Sequence, residues 1–178
     1  MLNKIFFFTS TQRILVHLAI HSDEEFTEKE ISKHTGVKKS AVNLALRELF
    51  GAGLISRRKI GRSSLFRADT RENLIREIKV LETMENLSPL VKKLKKTSDK
   101  IVLFGSAATG TNTEASDIDL FILTSKPRIT RNITNSSPLS EKLQILCKTP
   151  AEMIKMNKKK PLVFSEIEKG RTLWEKNE

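Results

Sequence analysis

The sequence predicts an α+β chain of two folded parts, on three observations. Residues 1–69 repeat apolar side chains at helical spacing and then offer two β-prone arms joined at a glycine. Residues 70–87, TRENLIREIKVLETMENL, form an amphipathic helical stretch without glycine or proline, a stiff connector rather than a loose tether. Residues 88–178 mix short apolar strands with helical segments. At 178 residues and 38% hydrophobic content, two packed cores are within reach.

Within the first part, Thr11–His21 sets Ile14, Leu15, Leu18 and Ala19 on one helical face. Thr27 followed by Glu30 is a capping-box signature for a short second helix, and Gly36 ends it in a turn. Ser40 is placed to cap a third helix, AVNLALRELFGAG, with Val42, Leu46, Leu49 and Phe50 inward and Gly51 and Gly53 as its stop. LISRRKI and SSLFRAD then read as a hairpin turning at Gly61-Arg62.

Three short helices followed by a hairpin resemble the winged helix-turn-helix family over roughly residues 9–69. The resemblance implies binding of double-stranded DNA, with the third helix in the major groove. That helix carries Lys38, Lys39, Ser40, Asn43 and Arg47 on its outward side. Lysine and arginine suit phosphates or guanine, and asparagine suits adenine. Arg57, Arg58, Lys59 and Arg62 in the hairpin suit phosphates or the minor groove. The alternative is a set of solvated charges on a module used for protein contacts.

In the connector, Leu74, Ile75, Ile78, Leu81 and Met84 form the apolar stripe. Pro89 is expected to begin a separate helix with Leu90, Val91 and Leu94 inward, and Lys92, Lys93, Lys95 and Lys96 as a solvated face.

The second part carries the chemistry. KIVLF, residues 100–104, reads as a buried strand, and Gly105-Ser106 at its end should open a helical turn over Ala107-Ala108-Thr109. Glycine lets backbone approach a phosphate, and amides at a helix start point toward it. Asp117–Leu123, DIDLFIL, reads as the next strand. Its alternation sends Asp117 and Asp119 to the same side. Two neighbouring carboxylates repel unless a cation lies between them, and Mg²⁺ takes one or two protein carboxylates with substrate phosphates. Gly105 and Ser106 are therefore candidate nucleotide-binding residues, and Asp117 and Asp119 candidate metal-binding and catalytic ones.

This Gly-Ser, ten residues, Asp-x-Asp arrangement resembles the DNA polymerase β-type nucleotidyltransferase superfamily in its minimal form, over about residues 88–176. The closing segment TPAEMIKMNKKKPLVFSEIEKGRTLWE resembles that family's terminal helix, glycine and short strand. The resemblance implies a mixed sheet with flanking helices, a nucleoside triphosphate as ligand and Mg²⁺ as cofactor. It also implies a third carboxylate on a later strand. Here that strand is KLQILCKTP, which offers Gln144 instead, an uncharged group that cannot act as a base. Glu141, three residues earlier, is the first substitute to consider. Nucleotide binding with weak transfer to an acceptor is the expectation. The alternatives are a transcription regulator whose transferase-type domain has lost activity, and an antitoxin-like partner of a helical HEPN-type protein. A homodimer or a helical protein partner fits either. SKPRITRNITNSSPLSE, between the two strands, reads as an irregular linker.

Composition bounds these readings. The net charge of +11, from 32 basic and 21 acidic residues, is spread over both parts and points to a polyanionic partner. Cys147 is the only cysteine, which excludes internal disulfides and cysteine-cluster metal sites and fits a reduced compartment. The apolar run Ile5–Phe8 is too short for a signal peptide, and no stretch approaches 18 apolar residues, so a cytoplasmic protein with no membrane partner is expected. His17, His21 and His34 are scattered along the chain and show no metal spacing.

Overall fold

The computed structural model describes residues 9–159 and 161–176. The chain divides into two compact units, Met1–Glu85 and Asn86–Glu178.

In the first unit, α1 (Ser10–Ile20) and α2 (Glu28–Thr35) both start at capping boxes, formed by Thr9 with Gln12 and by Thr27 with Glu30. Each box satisfies two backbone amides that a helix start leaves without partners. Gly36 ends α2 in the left-handed region, φ +66°, which favours glycine. α3 (Lys39–Gly51) begins without a side-chain cap: Lys38 holds the cap position and Ser40 lies inside the first turn, so Ser40 is not the cap that the sequence suggests. β2 (Ile55–Ile60) and β3 (Ser63–Ala68) pair antiparallel and turn at Gly61-Arg62, where Ile60 faces Ser63. The two-residue β1 (Phe26–Thr27) adds to β3, giving the sheet order β1-β3-β2.

The core of this unit gathers Ile14, Leu18, Ile31, Val42, Leu46, Leu49, Ile55 and Phe66. Phe50 is not in it. At the end of α3 its ring is 51% exposed, because Leu46 and Leu49 already fill the inward stripe. The His17 ring lies 4.9 Å from that of His21 and 5.2 Å from that of His34.

α4 runs unbroken from Asn73 to Leu94, with Pro89 inside it. The expected break at Pro89 does not occur. An internal proline removes a helical hydrogen bond and costs about 3 kcal/mol. Leu87, Leu90, Val91 and Leu94 all bury in the second unit's core, and that packing outweighs the loss. In the first half of the helix, Ile75 and Ile78 join the first unit's core, whereas Leu74 and Met84 are exposed.

The second unit is built on a four-stranded mixed sheet of order β6-β5-β4-β7. β4 (Lys100–Phe104) pairs antiparallel with β5 (Ile118–Leu123) and with β7 (Arg171–Glu175), while β5 and β6 (Leu143–Lys148) are parallel. Parallel neighbours need a crossover. It contains α6 (Pro127–Asn135), so most of the segment read as an irregular linker folds as a helix. Pro127 opens this helix, and Thr130 and Thr134 are its buried residues, which is why no apolar stripe announces it. One sheet face packs Ile101, Leu103, Leu120 and Ile122 on the second half of α4. The other packs Val102 and Phe121 on Met156 of α7 (Pro150–Lys159) and Ile167 of α8 (Pro161–Glu168). The α5 turn (Gly105–Thr109) leads out of β4.

Candidate functional site

Strand pairing assembles the catalytic candidates in the second unit. β4 ends at Phe104, which pairs with Asp119 near the start of β5, so the Gly105-Ser106 turn meets the aspartate strand at one end of the sheet. On the other side, Asp119 pairs in parallel register with Gln144. Gln144 thus occupies the sheet position beside Asp119, and it is exposed. Asp117 departs from expectation. β5 begins at Ile118, so Asp117 is an exposed loop residue just before the strand.

Gly105 explains how close the turn comes. Its φ is +69°, and a methyl group there would fall 2.3 Å from Asp119 Oδ2. Only glycine accepts both the conformation and the approach. The α5 turn closes at Gly110, whose N–H donates to the Ser106 carbonyl. From β7, Arg171 Nε donates to the Ala108 carbonyl at 3.1 Å and ties the outer side of the turn.

Burial raises the pKa of Asp119, and the charges of Asp117 and Glu166 raise it further. Glu166 is unexpected from the sequence. It sits on α8, which covers the sheet face of Phe121, and it enters the aspartate field from 47 residues down the chain. No local pattern could have marked it. Glu141, by contrast, lies exposed in a short 3₁₀ turn, Ser140–Lys142.

The donors fit Mg²⁺. They are hard oxygens, two of them carboxylates in mutual repulsion, beside a backbone approach that a Cβ would block. Gly105→Ala should lower stability by more than the ~1–2 kcal/mol of a left-handed non-glycine residue, because its methyl group also meets Asp119. Gly53→Ala is the control, with φ +73° and nothing within 4 Å of the added methyl. Gly53→Ala should lose only the conformational part, and equal urea midpoints in the two variants would show that the Asp119 contact is unimportant.

The first unit holds the basic candidates. Lys38 at the cap of α3 and Lys39, Ser40 and Arg47 on it are exposed, and Arg57, Arg58, Lys59 and Arg62 are exposed along the hairpin. Asn43 is half-buried instead, and its Nδ2 donates to Glu28 Oε1 at 3.0 Å. Arg58 forms a two-bond ion pair with Glu25, which lowers the carboxyl pKa of Glu25, and Arg57 donates to Ser64 Oγ at 3.0 Å.

No helix among the described residues is long and apolar enough to cross a membrane. None of the curated proteins compared with the chain matches it. The family model for "Polymerase beta, Nucleotidyltransferase" matches residues 85–178, the span that carries the mixed sheet, the Gly-Ser turn and both aspartates. The chain therefore belongs to the polymerase beta nucleotidyltransferase family.

Proposed function

We propose that the second unit binds a magnesium-chelated nucleoside triphosphate and that the first binds double-stranded DNA as a winged helix. The observation that carries the nucleotide reading is the pairing of Phe104 with Asp119, which brings Gly105 against the Asp119 carboxylate. Gly105 gives the phosphates access to backbone, and Ser106 adds a hydroxyl donor. Asp117 and Asp119 would hold Mg²⁺, which supplies charge neutralisation for the phosphates when bound.

Transfer of a nucleoside monophosphate to an acceptor is expected to be slow. Gln144, the residue beside Asp119, has no charge to ligate a cation strongly and cannot take a proton from an attacking hydroxyl. Glu166 replaces Glu141 as the first carboxylate to test for that role, because its charge reaches Asp119. The same Gln144 favours a second reading, a DNA-bound regulator that senses a nucleotide without turning it over.

The DNA reading is supported by the order of three helices and a hairpin, and by exposed cations on both α3 and the hairpin. The test of the nucleotide reading is calorimetry of the full chain with each of the four ribonucleoside triphosphates, with and without Mg²⁺. Mg²⁺-dependent heat for at least one nucleotide is expected. Binding indifferent to Mg²⁺, or no binding at all, overturns the reading.

A further inference from the structure

Three histidines that are far apart in sequence meet in the first unit. His17 lies on α1, His21 caps its C-terminus one turn later, and His34 lies in the last turn of α2. Positions four apart on a helix share a face. Imidazoles that share one tetrahedral ion, each nitrogen about 2.0–2.1 Å from it, have ring centres about 5 Å apart. The centres here are 4.9 Å apart for His17 and His21, and 5.2 Å for His17 and His34, so His17 is the ring that neighbours both others.

The His17 Nε2 atom is buried and has no hydrogen-bond partner. Such a nitrogen is costly unless something satisfies it. Beside the cluster, Glu24 Oε1 lies 3.8 Å from His21 Nδ1. The Phe26 ring, 4.9 Å from His17, 6.0 Å from His21 and 5.7 Å from His34, provides an apolar wall.

We propose that His17, His21 and His34, with Glu24, form a site for one Zn²⁺-type transition-metal ion that braces α1 against α2. Imidazole nitrogen suits Zn²⁺, Cu²⁺ or Ni²⁺ rather than Mg²⁺, so this site is chemically separate from the aspartates. One nitrogen from each ring is not yet gathered within 4.8 Å of the others. Loading therefore requires the rings to turn, which the exposure of His34 and the partial exposure of His21 allow.

The test is titration of the full chain with Zn²⁺ in excess Mg²⁺, followed by calorimetry and by thermal unfolding. One equivalent should bind and raise the melting temperature. His34→Gln, at an exposed position that keeps the fold, should weaken binding roughly tenfold or more, since even losing an outer partner of a ligand costs about 10–100-fold. His21→Gln should do the same, and Asp119→Asn should leave Zn²⁺ binding unchanged. Three results overturn the proposal: no Zn²⁺ binding, binding that ignores His21 and His34, or binding that disappears in Asp119→Asn.

Discussion

Asp119→Asn is expected to uncouple Mg²⁺ from nucleotide binding while leaving the second unit at least as stable as before. The substitution keeps the shape beside Gly105 and deletes the charge. Contacts to a charged group contribute about 1.5–3 kcal/mol, so nucleotide affinity in Mg²⁺ should fall roughly 10–100-fold. Stability should move the other way. The folded protein holds Asp119 partly buried in the field of Asp117 and Glu166, which disfavours its charged form. Without a cation that charge is a burden, and removing it should raise the melting temperature. Asp117→Asn should repeat the functional loss with a smaller gain in stability, because Asp117 is exposed. The measurements are calorimetry in Mg²⁺ and a thermal melt in chelator. An Asp119→Asn protein that binds nucleotide normally, or that melts several degrees lower, would sink the idea that the pair is built for a cation.

DNA binding by the first unit is expected to weaken steeply with salt. Each phosphate contact contributes about −0.9 to the slope of log K against log salt. Lys38, Lys39, Arg47, Arg58 and Arg62 thus predict a slope of roughly −4 to −5 if all five engage. Arg58 must exchange its Glu25 partner for a phosphate, so Glu25→Gln should tighten binding to every sequence. The double variant Arg58→Ala, Arg62→Ala should weaken all sequences alike. Asn43→Ala should instead alter preference between sequences, once its Glu28 bond is given up. Fluorescence anisotropy with labelled duplexes at several salt concentrations reads all three. A slope near zero removes the DNA reading and leaves the nucleotide site untouched.

What the sequence reveals follows the range of the forces involved. The capping box of Thr27 and Glu30 is legible because both partners lie within one helical turn. The Gly105-Ser106 turn after an apolar strand is legible for the same reason. Pro89 misleads, because a local rule predicts a stop and the burial of Leu87, Leu90, Val91 and Leu94 overrides it. α6 is hidden because threonines occupy its inward positions; the Thr130 hydroxyl reaches Thr124 Oγ1 at 3.4 Å rather than an apolar pocket. Asp117 falls outside β5, since alternation of residue types fixes a strand's face better than its first residue. The approach of the His17 and His34 rings, and the effect of the Glu166 charge on Asp119, link positions 17 and 47 apart, which spacing within one element does not encode.

The Arg171 bond to Ala108 has a consequence for the newborn chain. The Gly-Ser turn leaves the ribosome with its strand, but the residue that ties its outer side is 63 positions further on. At about 5–20 residues per second, synthesis delivers that tether roughly 3–13 s after the turn itself. β7, which carries it, also pairs with β4, and the Lys100–Glu175 contact at 2.9 Å helps fix that pairing. During the interval the two aspartates exist without the edge strand. Chains released before Arg171, or clipped there by a protease, should retain both carboxylates and lack only the Arg171 tether of the turn.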